Sequence, residues 1–123
     1  MARGSLEYKV IMKPQLRAEI WIKAQVRVCD LSMLPAFIRR RGDPDAGAII
    51  LKLDRLNGFS EIFVQARAGD GARAWTRGAC ESGVADAEAE LYIQRQIRFD
   101  PDVWVLEIED PESCYQLDGP LLN

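Results

Sequence analysis

From Leu16 to Met33, "LRAEIWIKAQVRVCDLSM", the apolar positions satisfy two periods at once. Ile20, Ile22, Ala24, Val26 and Val28 alternate with polar residues as in a strand, whereas Leu16, Ile20, Ala24, Val28 and Leu31 step by three or four as on one side of a helix. The stretch exceeds ordinary strand length without a Gly or Pro, and Pro14 and Pro35 punctuate its two ends, so a helix is expected. Ala36 to Arg40 then reads as a short strand. Ala48 to Leu53 is apolar on both faces except for Lys52, the pattern of a central strand covered on each side. Asn57-Gly58 is a strong reversal signal, and Glu61 to Ala66 and Arg73 to Arg77 give two more strands around Gly69-Asp70-Gly71. These four strands are expected as an antiparallel meander.

At Ala85 the period changes back: Ala85, Ala89, Ile93 and Ile97 form one helical stripe. Asp86, Glu88 and Glu90 occupy its first turns and Arg95 and Arg98 its last, matching the helix dipole at both ends. Asp100-Pro101 stops it, because the residue before a proline is pushed out of the helical region. Val103 to Ile108, "VWVLEI", is a final strand with Trp104, Leu106 and Ile108 on one face. The pattern predicts an α/β fold of the α+β kind: one domain, a mainly antiparallel sheet of about five strands with two helices, in the order αββββαβ. Residues 1–15 read as an N-terminal extension, 16–110 as the single globular domain and 111–123 as a C-terminal tail.

Composition removes several chemistries. The 123 residues contain no histidine, which supplies the base of Ser-His-Asp and Cys-His enzymes and the commonest ligand of catalytic zinc. The reading therefore leans away from an enzyme. Three separated cysteines, Cys29, Cys80 and Cys114, make neither a disulfide framework nor a Cys-x-x-Cys knuckle, so a reducing cytoplasm is expected and neither metal nor cofactor is called for. The apolar runs are far too short to span a bilayer, and Glu7 and Lys9 interrupt any secretory core near the start. Charge is polarised: Arg3, Lys9, Lys13, Arg17, Lys23, Arg27, Arg39, Arg40 and Arg41 lie before residue 42, while the stretch from Phe99 to Asn123 is acidic without a basic residue. With a net charge of −3, the counterion-release drive for nucleic-acid binding is weak, and neutralisation between the two ends or across a dimer is the preferred explanation.

The densest chemistry is "RRRGDPDAG". Backbone N–H groups around Gly42 and Gly47, backed by Arg39, Arg40 and Arg41, can form an anion nest. Asp43 and Asp45 alone make a poor divalent-cation site. The plainer alternative is that the aspartates neutralise the arginines and shape a hairpin between two strands, with both glycines free to take positive φ. Glu107 and Glu109 project from one side of the last strand, either as an acid/base pair or as the charged face of an edge strand. Trp21, Trp75, Trp104, Phe37, Phe63 and Phe99 read as core or interface anchors; Trp75, between Arg73 and Arg77, alone has the flanks of a base-stacking residue.

Three segments, "LRAEIWIKA" at Leu16 to Ala24, "PAFIRRRGDPDAGAIILKL" at Pro35 to Leu53 and "YIQRQIRFDPDVWVLEIED" at Tyr92 to Asp110, resemble a family of short bacterial proteins, mostly alphaproteobacterial, known as domain of unknown function 1491. The resemblance spans about Leu16 to Asp110 and implies a helix for the first segment. It departs at the N-terminal extension and at Gly78 to Gly83, and it implies no activity. The expected function is a small cytoplasmic, non-catalytic binding or assembly module. It would act through a protein partner, a homodimer or a small anion held by Arg39, Arg40, Arg41, Gly42, Asp43, Asp45 and Gly47. The rival is a carboxylate-dependent hydrolase or phosphoryl-group enzyme using Asp43 and Asp45, which requires the loop to converge with Glu107.

Overall fold

A computed structural model describes residues 17–67, 69, 72–79 and 83–123. The expected extension, residues 1–15, lies outside them, as do Leu16, Asp70, Gly71 and Cys80. The chain runs α1 (Ala18–Leu31), β1 (Ala36–Arg40), β2 (Ile49–Asp54), β3 (Phe59–Arg67), β4 (Arg73–Arg77), β5 (Val84–Ala85), α2 (Asp86–Phe99) and β6 (Trp104–Glu109). Both helices and every expected strand form. The two-residue β5, paired with β3, raises the sheet to six strands.

The spatial order β1-β6-β2-β3-β4 departs from the expected meander at one place. β2, β3 and β4 do form antiparallel neighbours, and Asn57-Gly58 does make the β2–β3 reversal, with Gly58 at φ 91° and the Asn57 side-chain oxygen accepting the Phe59 N–H at 3.0 Å. β1, however, does not pair with β2. β6 lies between them, antiparallel to β1 and parallel to β2, so the Gly42–Gly47 loop is no hairpin and β6 is no edge strand. The reason is side-chain polarity. β6 starts with Trp104, Val105 and Leu106, all buried like Val103 just before them, and a strand apolar on both faces belongs in the middle. β1 alternates half-buried and exposed residues and tolerates the rim. Adjacency in sequence favours β1–β2; burial favours β6, and burial wins.

The sheet has a helix on each face. On the α1 side, Trp21, Ile22 and Cys29 pack against Ile49, Leu51, Leu53, Trp75, Trp104, Leu106 and Ile108. On the α2 side, Ala89 and Ile93 pack against Ile50, Ile62, Val103 and Val105. Trp75 is fully buried, so it offers no stacking surface. Residues 111–123 form no helix, yet they are docked rather than trailing. Tyr115 and Leu117 pack on the α1-side core, and the Tyr115 hydroxyl donates to Gln25 at 2.7 Å.

Candidate functional site

The Gly42–Gly47 loop arches over the start of β6. Asp43 N–H donates to the Asp102 carbonyl at 2.9 Å, and Trp104 Nε1–H donates to the Asp43 carbonyl at 2.7 Å. Neither Gly42 nor Gly47 has a positive φ; both are needed because a Cβ at either position would collide with the Asp102 carbonyl oxygen. Asp43 Oδ2 accepts the N–H groups of Asp45 (3.2 Å) and Ala46 (2.7 Å), a local turn of the kind short aspartates build. The loop's own carbonyls then do a second job. Arg17, at the N-cap of α1, makes no side-chain cap, and the orphan N–H groups of Ala18 and Glu19 donate instead to Asp45 O (3.3 Å) and Pro44 O (2.9 Å). The N–H groups of Asp43, Asp45, Ala46 and Gly47 thus point at acceptors within the protein.

The three arginines diverge. Arg39 forks onto Glu90 (2.6 and 2.9 Å) and reaches Glu107 at 2.6 Å. Arg40 donates to the Pro101 carbonyl at 2.6 Å, while its Nε is buried without a hydrogen-bond partner. Arg41 lies over the Trp104 ring at 5.5 Å and keeps a long 3.4 Å contact with Glu19; its side chain is 62% exposed. Asp45 faces α1 and contacts Arg17 at 3.4 Å, whereas Glu107 faces α2, so the carboxylates of the hydrolase reading do not meet.

Arg39 belongs to a network that the sequence reading did not assemble. Lys52, 3% exposed in the middle of β2, contacts Glu90 at 2.5 Å, Asp86 at 2.7 Å and Glu107 at 3.8 Å. Ser60 Oγ–H donates to Asp86 at 3.1 Å. Burial works to lower the Lys52 pKa, but hydrogen bonds to Asp86 and Glu90 outweigh it and leave it above the ordinary value. The Arg39 fork, helped by Lys52 against desolvation, pulls the Glu90 carboxyl down to about 2. A lysine held this firmly as ammonium is the reverse of a nucleophilic or basic lysine, whose pKa must fall. The cluster joins α2 to the sheet as compensated charge. Its signal was the lone lysine in "IILKL": a buried cation requires carboxylates, and α2 carries them.

A second set of charges lies at the other end of β2. Arg55 pairs with Glu61 and, at 3.1 Å, with the fully buried Asp110, while Arg77 also reaches Glu61 at 2.9 Å. Burial raises the Glu61 pKa, but the two arginines more than reverse this and leave it lowered. Asp110 further accepts the N–H groups of Cys114 and Tyr115, both at 2.8 Å, and so sets the direction of the C-terminal segment. Among the described residues no group of three or more acidic or cysteine side chains is arranged for a metal ion, and no helix is long and apolar enough to cross a membrane.

Two open clefts remain among the described residues, one of about 520 Å³ between α2 and the Gly78–Ala79 bend and one beside β1. A cleft of about 490 Å³ separates one face of α1, formed by Lys23, Val26, Arg27 and Asp30, from the segment Leu34 to Phe37. Lys23 and Arg27 are exposed and make no ion pair among the described residues, unlike Arg39, Lys52, Arg55 and Arg77. Around the outer side of α1, Ile20, Val28 and Leu31 are exposed at helical spacing, and Met33, just beyond, is 89% exposed.

These features define a small α+β protein whose six-stranded sheet is clad by one helix on each face, with polar clusters that bind it to itself. The profile of the family described as "Protein of unknown function (DUF1491)" matches residues 16–118, and the chain belongs to that family. A crystal structure of a DUF1491 family protein from Caulobacter crescentus is 35% identical, with a TM-score of 0.76 over 87% of this chain and 99% of that one. An NMR structure of a DUF1491 family protein from the same organism is 36% identical, with a TM-score of 0.74 over 88% and 97%. A solution structure from A. tumefaciens is 25% identical, with a TM-score of 0.69 over 80% and 89%. No curated protein matches the chain.

Proposed function

We propose that the chain is a small cytoplasmic binding or assembly module without catalysis of its own, working through protein contacts along α1, the β1 rim and the Arg39–Gly47 loop. The supporting observation is the apolar surface on the outer side of α1, where Ile20, Val28 and Leu31 continue into Met33. Contiguous apolar surface on a small domain is characteristic of protein contacts. The paired charges near the sheet, by contrast, are already matched to one another.

The test is a comparison of tagged chains expressed in an alphaproteobacterial host. Val28→Asp with Leu31→Asp is expected to keep the thermal melting profile while losing proteins that the wild type retains. Identical retained sets, together with identical sedimentation of the two chains, would remove the reading. A homodimer would appear as a sedimenting species lost in the double variant. The small-anion reading keeps one specific support, the exposed Arg41 guanidinium with its 3.4 Å contact to Glu19, which an anion would displace. Titration with inorganic phosphate, followed at the Arg41 and Gly42 amides, is expected to give shifts that Arg41→Gln abolishes.

A further inference from the structure

We propose that the free rim of β1 accepts an extended acidic segment of a partner protein as an added strand, with its carboxylates facing Lys23 and Arg27. The inference rests on the protein-contact reading above and specifies both the partner and the mode of contact. Its first support is the hydrogen-bonding phase of β1. Glu109 N–H donates to the Pro35 carbonyl at 2.9 Å, and the register pairs Ala36 with Ile108, Phe37 with Glu107 and Ile38 with Leu106. Antiparallel pairs alternate between bonded and non-bonded positions, so Phe37 directs its backbone groups at β6 while Ala36 and Ile38 direct theirs outward. Those outward groups meet no partner among the described residues. A strand added there gains main-chain hydrogen bonds.

Charge selects the kind of strand. The helix face above this rim carries Lys23 and Arg27 against the single carboxylate of Asp30, and neither cation is neutralised by a described residue. Phe37, which shares a face of the sheet with its partner Glu107 and so lies on the side opposite Lys23 and Arg27, supplies apolar contact for the alternate side chains of such a strand. A second copy placed across a two-fold axis would bring this surface, two cations to one anion, against itself. The chain's own acidic C-terminal segment is already committed elsewhere, through Trp75 N–H to Pro120 O at 2.9 Å and Leu122 N–H to Trp75 O at 2.8 Å. The occupant that complements the surface is therefore an acidic segment from another protein. The bulge between Ile38 and Arg40 ends the pairing surface and fixes its register.

The probe is an acetylated, amidated octapeptide of alternating Val and Glu, with Val/Thr and Val/Lys counterparts, titrated into the full chain and followed by amide NMR. The acidic peptide is expected to move the Ala36, Ile38, Lys23 and Arg27 amides and to bind roughly tenfold more tightly than the neutral one, the advantage falling with salt. Lys23→Glu with Arg27→Glu should reverse the order of the acidic and basic peptides. Ile38→Pro should abolish binding of all three while the β6 amides keep their positions. Equal binding of the three peptides at β1 would overturn the acidic preference but leave the contact surface standing. No response at β1 from any peptide would overturn strand addition, even if the Val28→Asp, Leu31→Asp chain still loses its retained proteins.

Discussion

At the β4 side of the sheet the chain covers its own rim, and at the β1 side no described residue does so. Along β4, Trp75 forms an isolated parallel bridge with Leu121, and the Arg77 N–H donates to the Asn123 side chain at 3.0 Å. Asp118 pins the cover in place: its two oxygens accept Trp21 Nε1–H at 2.6 Å and Trp75 Nε1–H at 3.0 Å, and Arg73 lies over the Trp21 ring at 4.9 Å. Along β1, protection is left to short length, a bulge and arginines, the devices that discourage unwanted pairing without excluding a chosen partner. Where the rim runs beside two buried tryptophans a carboxylate and residues 120–123 cover it; where it runs beside an open cleft no described residue does. A covered rim adds stability, and an uncovered one leaves a surface for contact.

The largest expected effect is on the anchor of the β1 side. Gly42→Ala drives a Cβ into the Asp102 carbonyl, a backbone group that cannot swing aside, and should cost about 4 kcal/mol in urea denaturation or prevent folding outright. Asp118→Ala acts at the other rim. It orphans two buried indole N–H groups and should cost about 3 kcal/mol, with faster hydrogen exchange at Trp75; Asp118→Asn, which retains one acceptor, should fall between. If Asp118→Ala proved neutral, the idea that the tail is pinned by this carboxylate would fail.

Acid should separate the two sides next. The Glu90 carboxyl, held at about 2 against an ordinary 4.5, contributes stability that is complete above about 4.5 and is lost as pH falls through about 2. Because Arg39 of β1 is its main partner, exchange protection should drop over that window at β1 before β4, and Glu90→Gln should flatten the dependence. The smallest stability effect belongs to Met33→Ser, expected within about 0.5 kcal/mol of wild type because the residue is 89% exposed. A larger loss would show that this surface is not free.

The elements were legible because each rests on a local period: Ala89 and Ile93 mark the buried side of α2, and the doubly apolar "IILKL" marks a central strand. The Gly-Asp-Pro-Asp-Ala-Gly segment does bend tightly, as its residue types imply, with Asp43 accepting two of its N–H groups. It is not the expected hairpin, because turn residues encode a local bend and say nothing about a strand that enters between its two arms from a distant part of the sequence. Asp118 shows the same limit. It lies 97 residues from Trp21, and nothing in "YQLDGP" distinguishes a carboxylate that will accept two indoles from one that will face water. Lys52 carries a signal that the sequence reading left unused: a lysine in an apolar strand requires carboxylates around it, and Asp86 and Glu90 of α2 supply them.

The place of β6 bears on the order in which the molecule can be completed. Its sixth strand occupies the middle of the sheet, so β1 and β2 cannot be joined into one sheet until residues 104–109 are present. Until then the inner flanks of both strands are raw, and any stalled or shortened product ending before Trp104 would present them to whatever strand is nearby. For this fold, the sheet can close only once residues 104–109 are available to enter it.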